Sequence, residues 1–218
     1  GGLDLAALRL FQDQGANIGT LDGQTRYVLG TIAESHNQPG VALHYWQGLD
    51  TPANIAAEEW PLRVANLALR ADKADAGMAA LKRMLGGSKT LSPNFAQRVM
   101  LLAQEMVDAG KLDLARELFE LLLPLADSVR ARGILFGLGR VNEVASKSSV
   151  AADYFLRSAL LAEGNAPDAL ALQARLAAGL NLARAGYGED ARAQLEWVLR
   201  NSKDPAQLEI ARRELKKL

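Results

Sequence analysis

His36 and His44 are the only imidazoles in a 218-residue chain that contains no cysteine. With Glu34 they are the sequence's nearest approach to a metal or acid–base group, because either chemistry needs imidazoles and carboxylates that converge. Two histidines flanking one turn do not supply such a set, and the simpler reading is a pair of solvated side chains. The segment Gly86–Thr90, GGSKT, has the glycines and lysine of a phosphate loop. It lacks the Gly-Lys-Ser/Thr order and follows no strand, so it reads as a loop between helices. Glu58 and Glu59 suit the start of a helix, where carboxylates meet the positive end of the dipole. No Gly-x-Ser-x-Gly, His-Glu-x-x-His or acidic calcium loop occurs. Without cysteine there are no disulfides, thiolate metal sites or thiol nucleophiles. The expectation is a non-catalytic chain with no metal and no cofactor.

Charge narrows the partners. The 25 basic and 25 acidic residues cancel, whereas a nucleic-acid binder needs a basic surface. Arg130, Arg132 and Arg140 are spread among carboxylates. Only the last helix gathers cations, and there they complement a helix C-terminus. No apolar run approaches the ~18 residues of a membrane span. The chain opens Gly1-Gly2-Leu3 with no charged stretch leading into an apolar one. We read it as an excised or processed segment of a longer protein, with any targeting signal upstream.

These side chains need elements to carry them. Alanine and leucine dominate while the β-branched residues that sheets prefer are few, so the chain is expected to be all-α. A pattern recurs five times. A helix ends in a turn, and a second helix opens with a small residue followed, four and then three residues on, by larger ones. The sets are Ala42, Trp46 and Leu49; Gly77, Leu81 and Met84; Ala115, Phe119 and Leu122; Ala151, Phe155 and Ser158; and Ala191, Leu195 and Val198. Offsets of four and three share one helix face, and Ser158 is the poorest fit. Twelve residues before each leading small residue stands another: Gly30, Ala65, Ala103, Gly139 and Gly179. Small residues there let two helices approach closely. The turns fall at Asn37, Asp72, Gly110, Ser146 and Gly186. The second helices start 35, 38, 36 and 40 residues apart. Leu3–Gln14 has the spacing of a second helix, and Asp204-Pro205 opens a final helix as N-cap and first helical residue.

This pattern resembles tetratricopeptide repeats, helix–turn–helix units of about 34 residues. The closest stretches are AQRVMLLAQEMVDAGKLDLARELFELLLPLAD at 96–127 and LAAGLNLARAGYGEDARAQLEWVL at 176–199. Spacings above 34 and a missing early aromatic make the repeats degenerate. The resemblance implies a right-handed αα-superhelix, a single solenoid over 1–218. Its units would lie near 23–55, 57–90, 96–127, 132–163 and 172–203, with a polar capping helix at 205–217.

In that family the first helices line a concave face where ligands bind. The resemblance therefore points to Tyr27, Leu62, Met100, Phe136 and Leu176 as an inward column, with Thr31, Asn66, Gln104, Arg140 and Leu180 on the column four residues further. Gln24, Glu59, Gln97 and Gln173 flank it. The lysine–asparagine clamp some members use for a peptide carboxylate is not reproduced. The bland alternative is that the column packs between neighbouring first helices. The implied function is a scaffold that holds another protein or peptide segment. The chain is similar to repeat regions of bacterial envelope proteins, such as exopolysaccharide exporters and enzyme-recruiting lipoproteins, which implies a periplasmic or envelope setting. A cytoplasmic adaptor or chaperone-type regulator is a second reading. A helical-toroid enzyme is a third, and it has no cluster of carboxylates and histidines behind it.

Overall fold

One turn geometry, used five times, organises the chain. In each case a residue with positive φ ends a first helix: Asn37 (56°), Asp72 (56°), Gly110 (73°), Ser146 (58°) and Gly186 (84°). The amide of the next residue reaches back five positions. Gln38 donates to the Ala33 carbonyl at 2.9 Å, Lys73 to Ala68 at 2.9 Å, Lys111 to Met106 at 2.8 Å, Lys147 to Asn142 at 2.9 Å and Tyr187 to Leu182 at 2.9 Å. This is the Schellman arrangement, which satisfies carbonyls that a helix end would leave unpaired. The carbonyl of that same residue accepts the first bond of the next helix, from Ala42, Gly77, Ala115, Ala151 and Ala191. Gln38, Lys73, Lys111, Lys147 and Tyr187 therefore each close one helix and open another. α3, α7, α9 and α11 open without a side-chain cap.

The computed structural model describes residues 2–13, 18–56, 59–85, 92–161 and 167–218. Among them are twelve α-helices, and within each of the chain's two units helices adjacent in sequence pack together. The first helices are α2 (Gly23–Ser35), α4 (Glu59–Arg70), α6 (Pro93–Asp108), α8 (Ser128–Val144) and α10 (Ala169–Arg184). Their partners are α3 (Pro39–Trp46), α5 (Ala74–Leu85), α7 (Leu112–Leu122), α9 (Ser148–Leu160) and α11 (Gly188–Asn201). α1 (Gly2–Asp13) precedes the pairs and α12 (Pro205–Leu215) follows them. The expected loop Gly86–Thr90 lies outside the described residues, as do Glu58 and Gln14. Several first helices carry a side-chain N-cap: Asp22 accepts from the Thr25 amide, Ser92 from Phe95, Asp127 from Arg130 and Asp168 from Ala171. α6, α8 and α10 thus begin a few residues ahead of 96, 132 and 172. Asp204 caps α12, with Pro205 in its first turn.

The chain forms two compact units, residues 1–88 and 89–218. In the first, Leu29, Ala42, Tyr45, Trp46, Trp60 and Leu67 build the core, with Leu8 of α1 joining it. Leu49 departs from the expected pattern. α3 stops at Trp46, and Gly48 takes φ of 71°, so Leu49 lies beyond the helix, although its side chain still packs on this core. In the second unit α12 packs on α11 and α10. There Leu176, Leu195, Val198 and Ala211 form a terminal cluster.

The paired small residues are contact points. A Cβ on Gly139 would stand 2.6 Å from the Phe155 ring, and one on Gly137 2.4 Å from Phe119. α8 thus carries one glycine against the phenylalanine before it and another against the one after it. Gly77, where alanine is usual, would place a Cβ 2.9 Å from the Ala65 carbonyl oxygen, so glycine is what lets α5 lie against the α4 backbone. At the turns, left-handed backbone disfavours ordinary L-residues. Ser146→Gly is expected to raise stability by about 0.5–1 kcal/mol in urea denaturation. Gly186→Ala should lower it by a similar amount.

Candidate functional site

The residues of the expected inner column lie in both units. In the first, Tyr27 is half-buried on α2 and stacks on Trp46 at 6.1 Å with a 15° interplanar angle. Trp60 is tilted against both rings, 5.9 Å from Tyr27 and 4.7 Å from Trp46. The Trp46 indole nitrogen donates to the Tyr27 carbonyl at 3.2 Å. Leu62 is 4% exposed and belongs to the core. Asn66 is half-buried, and its Oδ1 is enclosed with no hydrogen-bond partner. A buried acceptor left unpaired is costly, and it distinguishes Asn66 from its apolar neighbours. Glu34 is engaged by the Arg63 guanidinium, which also lies 4.7 Å over the Trp46 ring. The carboxylate nearest the histidines is thus part of an ion pair. His36 is the C-cap of α2, and His44 is exposed.

In the second unit, the Met100 ε-methyl sits 2.9 Å from where a Gly133 Cβ would be, so α6 and α8 meet there. Phe136 is half-buried with its ring 5.1 Å from Phe155. Gln104 Nε2 donates to Asp108 Oδ1 at 3.1 Å. Arg140, one turn beyond Phe136, is exposed and approaches Glu143 at 3.6 Å. The same helices expose aliphatics, Leu101 at 54%, Val129 at 65% and Val144 at 49%. Gln97 and Gln173 are also exposed, on α6 and α10. The open positions of these helices therefore combine aliphatics, amides and arginine.

Two polar clusters escaped the sequence reading. Glu143 Oε1 on α8 accepts from Asn181 Nδ2 at 2.9 Å and from Arg184 Nη1 at 3.0 Å, both on α10. Asn181 is fully buried, also donates to the Ala177 carbonyl, and keeps an unpartnered Oδ1. Asn181 and Arg184 follow Glu143 by 38 and 41 positions, about one repeat, so aligning the fourth unit on the fifth would have placed all three within one helical turn. The second cluster accounts for Ser158. That side chain is wholly buried, and its hydroxyl donates to the Arg132 carbonyl at 2.9 Å. Arg132, itself 8% exposed, donates through Nη1 and Nη2 to the two oxygens of Asp168 at 2.6 and 2.7 Å. The Arg132 hydrogen bonds, with the Ala171 amide second, hold the Asp168 carboxyl down at about 2.

Among the described residues no three His, Asp or Glu side chains are grouped to hold a metal, and no helix is long and apolar enough to cross a membrane. No family model and no curated protein matches this chain.

Proposed function

We propose that the chain is a non-catalytic scaffold, a tetratricopeptide-like right-handed solenoid that binds a partner protein on the face of its first helices. The observation that carries this reading is the turn geometry common to all five helix pairs. A chain made of repeated helix pairs presents similar first-helix surfaces side by side, which suits extended recognition of another polypeptide. The second unit supports the placement: Arg140 and the aliphatics Leu101, Val129 and Val144 are exposed on α6 and α8, and interface centres favour arginine and aromatic anchors. Met100, Gln104, Phe136 and Arg140 are the candidate residues of the second unit, and Tyr27, Leu62 and Asn66 are those of the first. Packing of Leu62 and Phe136 means that these two shape the surface more than they touch a partner. The setting we propose is a bacterial envelope assembly.

Arg140→Glu reverses an exposed charge and removes no core contact. Immobilised protein incubated with a bacterial envelope extract should retain a discrete partner. Arg140→Glu should lower its capture about tenfold, equivalent to about 1.4 kcal/mol, with the melting temperature unchanged. Phe136→Ala would weaken both folding and capture. If Arg140→Glu captures normally while Glu196→Lys on α11 does not, the second helices carry the binding face.

A further inference from the structure

The early end of α3 leaves an opening in the first unit. α3 has eight residues against twelve in α5, and Gly48 turns the chain away directly after it. Between α3 and α5, over α4, lies a half-open cleft of about 530 Å³. Its lining is mostly aliphatic and aromatic, including Leu43, Leu49, Val64 and the nearly buried Trp46 and Trp60, with Gln47 beside them. On the α5 side Lys73, Ala76, Ala80 and Arg83 face it. Their spacing places them on one stripe of the helix, a cation at each end and methyl groups between. No carboxylate is among the described residues that line the cleft. Neither Lys73 nor Arg83 makes a side-chain ion pair among the described residues.

Size and chemistry together select the occupant. The volume falls in the range of small-ligand sites, about 300–1,000 Å³. A slender aliphatic chain fits. Gln47 is the one uncharged polar side chain among the described lining residues, and the charged ones among them, Lys73 and Arg83, are both cationic, so the matching head group is an anion. The geometry points to a binding site for an anionic aliphatic amphiphile of the fatty-acid type, its tail against Trp46, Trp60 and the alanines of α5 and its carboxylate at Lys73 or Arg83. This site is separate from the first-helix face and stands or falls independently of it.

The two indoles provide the readout. In a Trp197→Phe background, where Trp46 and Trp60 are the remaining tryptophans, monomeric sodium dodecanoate should change the emission saturably. Lys73→Glu with Arg83→Glu should weaken the apparent affinity at least tenfold. Ala80→Leu, which narrows the cleft, should weaken it at least fivefold. Circular dichroism should be unchanged in both variants, since these side chains are outside the core. Dodecyltrimethylammonium should bind at least tenfold more weakly than dodecanoate. Co-sedimentation with phosphatidylglycerol vesicles separates the sources. Vesicle binding that is lost in the double charge variant identifies a membrane lipid, and its absence alongside dodecanoate binding identifies a free acid. The assignment is overturned if dodecanoate gives no saturable change, if the double charge variant or Ala80→Leu binds as the parent does, or if the cationic amphiphile binds equally well.

Discussion

Gly139→Leu should be among the most damaging single changes in the chain, lowering stability by about 3 kcal/mol. In an exposed helix, replacing glycine gains up to about 1 kcal/mol in helix propensity. At position 139 that gain is overwhelmed. Even the first carbon of a new side chain would stand 2.6 Å from the Phe155 ring. The ring cannot retreat, because it is fully buried and packed against Phe136. Ala115→Leu should behave alike, since Ala115 has no exposure at the start of α7. Gly40→Ala and Gly188→Ala are the matched controls. Nothing lies within 4 Å of a Cβ at either place, so both should be neutral or slightly stabilising. Urea titrations of the four variants test this; parental midpoints for Gly139→Leu and Ala115→Leu would show that the helix pairs do not meet at these residues.

Asp168→Ala should cost about 2–3 kcal/mol, because one carboxylate has two structural duties. It caps α10 through the Ala171 amide, a role worth about 1 kcal/mol. It also neutralises Arg132, whose guanidinium is buried against the Ser158 carbonyl. Removing one partner of a buried pair costs about 3–5 kcal/mol. Asp168 is itself half exposed, and solvent screening reduces that figure. Asp168→Ser retains the cap without the charge and should recover about 1 kcal/mol. Acid removes both contributions together. The carboxyl has an ordinary value of 3.8 and is lowered to about 2 in the folded chain. Its contribution is complete above the higher value and is lost as pH falls through the lower one. Between about pH 4 and 2 the parent should therefore lose stability more steeply than Asp168→Asn. Equal slopes in acid denaturation would mean that the pair does not form in solution.

What could be read in the sequence was whatever had to recur. A turn needing left-handed backbone accepts few residues, so Asn37, Asp72, Gly110, Ser146 and Gly186 stood out, and all five have positive φ. The close approach between partner helices likewise demanded small residues against large ones, as at Gly139 and Gly179. Asp204-Pro205 was legible because capping is local. The Arg132–Asp168 pair was not, since it spans 36 positions and bridges consecutive repeats, where single-helix periodicity carries no information. Ser158 looked like a weak core residue because its hydroxyl serves that same cluster. The cleft of the first unit was hidden for another reason. The expected pattern ran through Leu49, whereas Gly48 ends α3 before it. For the candidate binding face, spacing gave a column but not its exposure. Arg140 is open and Leu62 is buried, a difference set by neighbouring helices.

The packing of helices on their immediate predecessors and successors has a consequence for how the chain comes apart. In the unit from 89 to 218, the contacts joining α6 through α12 are made mostly between segments close in sequence. Little loop entropy must be spent before such contacts form, which favours rapid assembly. The same locality weakens all-or-none behaviour, because a terminal helix can detach while the pairs behind it stay intact. Amide exchange should accordingly be graded, fastest in α12, which has neighbours on one side, and slowest in α8 and α9, which are flanked on both. The molecule then has a ladder of opening energies, and its stability is a profile along the chain.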